Sequence, residues 1–87
     1  IEQILSAMTI PQLWATLRKK WLNYRIALAN LRNAVNKNDN NEITKQLQII
    51  QIVQKHIHAV QDKLELPRTE FEPIEQILEK SKSNEDQ

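Results

Sequence analysis

The strongest constraint on the fold of this chain is a heptad pattern of apolar residues in its first half. These residues step alternately by four and three positions, and they are Ile10, Trp14, Leu17, Trp21, Tyr24, Leu28, Leu31 and Val35. Such spacing places all of them on one side of an α-helix, and a second helix must cover that side. Thr9 can accept a hydrogen bond from a free backbone N–H at the helix start, and Pro11 suits the first turn. The pattern therefore predicts a long helix over residues 10–36.

A second long helix is predicted after a polar turn. The turn is the run Asn36-Lys37-Asn38-Asp39-Asn40-Asn41, and because the chain has no glycine, its Asn and Asp residues must supply the left-handed conformations that a turn needs. We expect Asn40 or Asn41 to cap a helix over 42–66 with Glu42 in its first turn, and Pro67 to end it. The apolar positions of this helix are Ile43, Leu47, Ile50, Val53, Ile57, Val60 and Leu64.

Two short amphipathic segments flank the long helices. Residues 1–8 place apolar side chains on one helical face, and a last helix is predicted from about 73 to 81. Thr69 and Glu72 match a capping box before it, although Pro73 can equally be its first helical residue. The predicted fold is all-α: an antiparallel hairpin of about 10–36 and 42–66, closed by the short terminal helices into a three- to four-helix bundle. We expect one domain over 1–81 and a polar, disordered tail over 82–87. Pro67 can mark either a sharp corner or the start of a linker.

The pentapeptide IEQIL occurs twice, at positions 1–5 and 74–78. One interpretation is a repeat unit of about 73 residues, of which the chain spans one unit and the start of the next. The other is two similar short amphipathic helices, since the residues that follow diverge at once. Both interpretations stay open from the sequence.

Composition excludes several classes of site. Without glycine there is no phosphate-binding glycine loop, and without cysteine there is no disulfide, thiolate nucleophile or cysteine zinc site. His56 and His58 point about 200° apart on a helix and cannot chelate one ion, and the His58–Asp62 spacing suggests an ordinary solvated pair. We therefore predict no catalytic, cofactor-binding or metal-binding residue, and a protein that is not an enzyme.

The sequence also allows predictions about membrane association, cellular localisation and whether the chain is part of a longer protein. No apolar run approaches the length of a membrane span, so no membrane partner is expected. The absence of cysteine and of a signal peptide favours an intracellular protein. The first residue is Ile, which suggests a segment of a longer protein.

Charge is distributed unevenly along the chain. Residues 1–36 carry five basic side chains against Glu2, a net charge of +4, whereas residues 67–87 carry three basic against six acidic side chains, a net charge of −3. The two ends can simply attract each other within the fold. Arg18, Arg25 and Arg32 recur every seven residues beside the apolar seam, where they can cover that seam with their stems, meet a partner's carboxylates or contact phosphates.

Apolar residues that lie outside the seams of the two long helices supply the main evidence for function. Leu22 and Ile26 lie off the seam of the first long helix, and Ile49 and Ile52 lie off that of the second. Trp14, Trp21 and Tyr24 fall on the seam, either as core residues or as anchors for a partner. The sequence thus predicts a non-enzymatic protein–protein interaction module of adaptor or scaffold type. Its partner would be another protein or a second copy. The alternative is a weakly basic nucleic-acid-binding domain that uses Arg18, Arg25 and Arg32.

Overall fold

The computed structural model describes residues 2–83 and contains four helices in that range. Helix α1 spans Glu2–Ser6, α2 spans Ile10–Asn36, α3 spans Asn40–Lys63 and α4 spans Ile74–Ser83. The long helices α2 and α3 pack against each other, and α1 and α4 close the hairpin against α3 and α2 respectively. The prediction of an all-α hairpin closed by short terminal helices is confirmed. Helix α4 ends at Ser83 rather than at about 81, and residues 84–87 of the predicted tail lie outside the described range, so a disordered tail stays a prediction. That residues 1–81 form one domain stays a prediction.

The starts of the long helices are fixed by local hydrogen bonds. The Thr9 hydroxyl accepts from the backbone N–H of Gln12 at 3.3 Å, while the Gln12 side chain accepts from the Thr9 N–H at 2.9 Å, a complete capping box. The cap of α3 is Asp39, which accepts from the N–H of Glu42 at 3.1 Å, so the prediction of Asn40 or Asn41 was wrong. The carboxylate of Asp39 is favoured at this position because it opposes the positive end of the helix dipole.

Both long helices end in a left-handed residue other than glycine. Asn38 has φ 55° and Glu65 has φ 57°. In each case the next N–H bonds five residues back, from Asp39 to Ala34 at 3.0 Å and from Leu66 to Gln61 at 2.9 Å, which is the Schellman arrangement. Asn38 thus takes the role that glycine usually fills, as the turn composition predicted.

The core between α2 and α3 follows most of the predicted seam. Buried apolar residues of the two helices are Leu13, Leu17, Ala27, Leu31, Ala34 and Val35 in α2 and Ile50, Val53, Ile57 and Val60 in α3. Ile10 and Trp14, assigned to the seam from the heptad, are exposed instead. The reason is helical drift: Leu13 precedes Leu31 by eighteen residues, which is five full turns, whereas Trp14 lies about 100° away from that direction. Over the length of α2, residues spaced in a strict heptad therefore rotate away from the side of a straight helix that contacts α3.

The two copies of the IEQIL sequence form short helices that dock in different ways. In α1, Leu5 is buried against α3 and Ile4 is exposed. In α4, the residue equivalent to Ile4 is Ile77, which is buried against the far end of the hairpin, while Leu78 is half-buried. The pentapeptide thus buries its fifth position, Leu5, in the first copy and its fourth position, Ile77, in the second. The 73-residue repeat stays a prediction.

Pro67 marks a corner, after which the chain folds back along α3. The Gln61 side chain donates to the Thr69 hydroxyl at 2.8 Å and accepts from the Thr69 N–H at 3.1 Å. The His58 Nε2 donates to the Thr69 carbonyl oxygen at 2.7 Å. Residues 70–73 are not helical, so the predicted capping box of Thr69 and Glu72 does not form, and Pro73 supplies the carbonyl that begins α4. We call residues 64–73 the strap.

Candidate docking surface

Three of the four predicted apolar contact residues are exposed. Leu22 is 56%, Ile26 50% and Ile52 51% exposed, whereas Ile49 is half-buried against the core between α2 and α3. Leu22 precedes the fully buried Leu31 by nine residues, or two and a half turns, so it points away from the core. Ile26 follows Leu22 by about one turn. The outer side of α2 therefore carries two adjacent aliphatic side chains that the fold itself does not use.

Ile26 and Ile49 line one shallow groove between α2 and α3. It encloses about 280 Å³ and is lined by Asn23, Ile26, Ala27, Asn30, Lys45, Gln46 and Ile49. Buried Gln46 is held in place, because its Nε2 donates to Glu42 Oε1 at 2.9 Å. The antiparallel register around the turn brings position 26 level with position 49, a relation the sequence could have revealed once the turn was placed. Exposed Ile52 does not line this groove.

The basic residues of α2 have no acidic counterparts on their own helix. The α2 sequence contains five Arg and Lys residues and no Asp or Glu. Arg18, Arg25 and Arg32 are all exposed, and within residues 2–83 none of the three forms an ion pair. Helix α4 packs on α2, and Arg32 borders the cleft between them, yet Glu72 on that cleft pairs with Lys80 at 2.7 Å. Among the described residues, the predicted attraction between the chain ends does not neutralise the three arginines, and Glu85 and Asp86 of the acidic end lie outside the described range.

Arg68 and Asp62 form an ion pair on another part of the surface. Arg68 donates to both carboxylate oxygens of Asp62, at 3.0 and 2.6 Å, and anchors the strap beside the C-terminal end of α3. The hydrogen bond from Arg68, followed by its positive charge, lowers the pKa of Asp62 below its usual value. The suggested His58–Asp62 pair is not formed, since His58 bonds to Thr69 and Asp62 to Arg68. The side chains of His58 and Asp62 are therefore both engaged by residues of the strap.

The aromatic residues divide between core and surface. Trp21, Tyr24 and Phe71 form a cluster with ring centroids 5.2–5.8 Å apart, and the tilted His58 ring lies 5.2 Å from that of Phe71. This is the packing role expected for Trp21 and Tyr24, with Phe71 of the strap as their partner. Trp14 instead lies exposed near the start of α2. Only Trp14 of the three aromatic candidates presents its ring as a surface feature.

The two histidines lie in different surroundings. Partial burial, and then the nearby positive charge of Lys20, lower the pKa of His56 from 6.5. His58 contacts Thr69 and Phe71 of the strap. In the part of the chain that the structure describes, no group of three His, Asp or Glu side chains could hold a metal ion. The buried polar residues Gln46 and Gln61 were missed by the sequence reasoning, since apolar periodicity carries no signal for them.

Comparisons with protein-family models, with curated proteins and with solved structures each gave no match. Among helices of the described residues, none is long and apolar enough to cross a membrane.

Proposed function

We propose that this chain is a non-enzymatic protein-interaction module that binds a partner helix through the outer side of α2. The observation that carries the proposal is the pair of adjacent, half-exposed residues Leu22 and Ile26 beside the groove that Ile26 shares with Ile49. Single exposed aliphatic residues are common on protein surfaces, but a contiguous apolar patch rimmed by polar groups is typical of a binding surface. The adaptor or scaffold role follows from the same feature.

The rim of this surface adds selectivity. Asn23, Asn30 and Lys45 border the groove and offer hydrogen bonds around its apolar centre. An apolar centre with a polar rim is the usual organisation of a protein–protein interface. Helix-in-groove recognition uses apolar anchors about one turn apart, which is the spacing of Leu22 and Ile26.

Nucleic-acid binding is the second candidate, supported by Arg18, Arg25 and Arg32, which form no ion pair among residues 2–83. Three phosphate contacts provide only weak affinity at physiological salt. The exposed Leu22 and Ile26 would gain nothing from contact with phosphates. The protein-interaction proposal accounts for both the aliphatic and the basic residues of this surface, and is preferred.

The proposal is tested by capture of partner proteins from the source lysate, with nuclease present, on the immobilised chain. The double variant Leu22→Lys/Ile26→Lys is expected to lose the captured protein. Ile52→Lys is the matched control, because Ile52 is as exposed as Ile26 but lies outside the groove. Circular dichroism should show unchanged helix content in all three proteins. Capture that survives the double change, or that is lost with Ile52→Lys alone, contradicts docking on the outer side of α2.

Self-association through the same surface is tested separately by sedimentation equilibrium. A dimer that dissociates in the Leu22→Lys/Ile26→Lys variant would identify the partner as a second copy of the chain. A monomer at all concentrations would leave only a different protein as partner.

A further inference from the structure

Helix α2 carries a second heptad stripe on its solvent side. Its members step by three, four, three, four and three, all are exposed, and they are Ala15, Arg18, Leu22, Arg25, Ala29 and Arg32. We call this set the outer stripe. One heptad position is always arginine, and the other is alanine, leucine and alanine in turn. A helix therefore displays a coiled-coil repeat toward solvent while its opposite side packs in the hairpin.

The dimensions of the outer stripe suit a single helix laid along it. Successive arginines lie seven residues, or about 10.5 Å, apart along the axis, so Arg18 and Arg32 are separated by about 21 Å. Ala15 and Ala29 leave room for close approach of another backbone at either end. Leu22 supplies the central apolar contact, and it is 56% exposed. A facing helix of about three heptads that winds left-handed along α2, as in a coiled coil, follows the heptad drift and would meet all of these side chains.

The charge of the outer stripe defines what the facing helix must contain. No acidic residue lies on α2, and Arg18, Arg25 and Arg32 have no ion pair within the described residues. Covering a guanidinium without a carboxylate costs free energy, because the charge loses water and gains no partner. A carboxylate that accepts two hydrogen bonds from the guanidinium offsets that cost and fixes the register of the two helices.

A second copy of this chain does not meet the requirement through the same stripe. In a two-fold symmetric contact, arginines would face arginines, and like charges at this distance repel. The outer side of α3 is not an acidic substitute, since it exposes Lys45 and Lys55. Helix α4 exposes Glu75 and Glu79, but its 10 residues span only about 15 Å, which is too short to reach from Arg18 to Arg32. The occupant must therefore come from a different protein.

We propose that the outer stripe binds an acidic amphipathic helix in coiled-coil register. That helix carries Glu or Asp every seven residues opposite Arg18, Arg25 and Arg32, and apolar residues opposite Leu22 and the alanines. This inference rests on the proposed function and names the chemistry of its partner. The central leucine distinguishes an acidic helix from a polyanion, because phosphates would engage the arginines alone.

The experiment uses the whole chain and two synthetic helical peptides of three heptads, each held helical by side-chain links on its outer surface. The register peptide has Leu and Glu at the two seam positions of every heptad. The shifted peptide has the same composition and net charge, with its Glu residues moved off the seam. Titration calorimetry is expected to show at least tenfold tighter binding of the register peptide, which is about 1.4 kcal/mol.

Matched variants of the chain separate register from net charge. Arg18→Glu/Arg25→Glu should abolish binding of the register peptide and create binding to a peptide with Lys in place of Glu. Lys55→Glu/Lys82→Glu changes net charge by the same amount at exposed positions outside α2 and the groove, and should leave register-peptide binding within about twofold at physiological salt. Leu22→Ala should weaken it about tenfold, which is the expected cost of losing a central apolar contact. Circular dichroism checks that every variant is folded.

Several results would overturn the inference. Equal binding of the two peptides would show that only net charge matters. Binding of a DNA duplex or of anionic phospholipid vesicles that depends on the arginines but not on Leu22 would make the outer stripe a polyanion surface. If neither peptide binds while partner capture still requires Leu22 and Ile26, the acidic-helix inference fails and the proposed function stands. If capture also fails to require Leu22 and Ile26, the proposed function fails with it.

Discussion

Replacement of Gln61 by leucine tests whether the strap is held by the polar contacts described above. Gln61 is buried in α3, and its side chain makes hydrogen bonds of 2.8 and 3.1 Å with the hydroxyl and the N–H of Thr69. Each such bond contributes about 0.5–1.5 kcal/mol net, so their loss is expected to lower the free energy of unfolding by about 2 kcal/mol. For a domain of this size, that corresponds to a fall in Tm of about 8–16 °C.

The assay is urea unfolding of the wild type, Gln61→Leu, Thr69→Val and the double variant. Thr69→Val removes only the hydroxyl bond and should cost about 1 kcal/mol in the wild-type background but almost nothing when Gln61 is already leucine. Gln48→Leu is the matched control, because Gln48 is an exposed glutamine on the same helix, and its effect should stay within about 0.5 kcal/mol. Additive effects of the two changes, or equal effects of Gln61→Leu and Gln48→Leu, would refute the reasoning.

Three further predictions concern stability. Ile57→Ala should cost about 2–5 kcal/mol in urea unfolding because Ile57 is fully buried, while Ile52→Ala should stay within about 0.5 kcal/mol; equal costs would contradict the described core. Glu65→Gly should stabilise the chain by about 0.5–1 kcal/mol, since the left-handed conformation at φ 57° is relieved, and a lower Tm would contradict this. The pKa of His56 is lowered from 6.5 by burial and Lys20, so the folded state binds fewer protons there. Its contribution to the free energy of unfolding is therefore complete above pH 6.5 and lost as pH falls through the folded pKa. In urea unfolding at a series of pH values, Lys20→Met should reduce this loss as the pH falls below 6.5, and an unchanged loss would contradict the assignment.

The hairpin could be predicted from the sequence because both long helices bury repeating apolar residues. The seam of α3 was assigned well, since Ile50, Ile57 and Val60 are all fully buried. At the start of α2, the heptad assigned Trp14 to the buried seam, whereas the structure buries Leu13. A heptad read as an unbroken repeat ignores that a straight helix returns to one direction after eighteen residues, and this error grows with helix length.

The strap could not be predicted because polar pairing carries no periodic signal. Thr69 reads locally as a helix cap, but Gln61, eight residues earlier, binds its hydroxyl and its N–H in the folded chain. The choice between these partners depends on how the chain turns at Glu65 and Pro67. That turn brings Phe71 against Trp21, so tertiary packing decides a local hydrogen bond.

The candidate surface was predicted in part. Leu22 and Ile26 were recognised as surplus because they lie off the seam, and the structure exposes both. Ile49 was also placed off the seam, but it is half-buried and forms one wall of the groove with Ile26. Distance from a seam therefore identifies fully outward residues reliably, and it fails for residues at the margin, where the neighbouring helix decides exposure.

The division of α2 into two sides explains why folding and binding can be tested separately in this protein. Leu13 and Leu31 lie on the side that packs in the hairpin, and Leu22 lies half a turn away from them on the outer stripe. A change on the outer stripe removes no core contact, so its effect on stability should be small. The packed side keeps α2 rigid, which holds Arg18 and Arg32 at the fixed separation that a heptad partner needs. The core contacts thus set the geometry of the outer stripe without using any of its side chains.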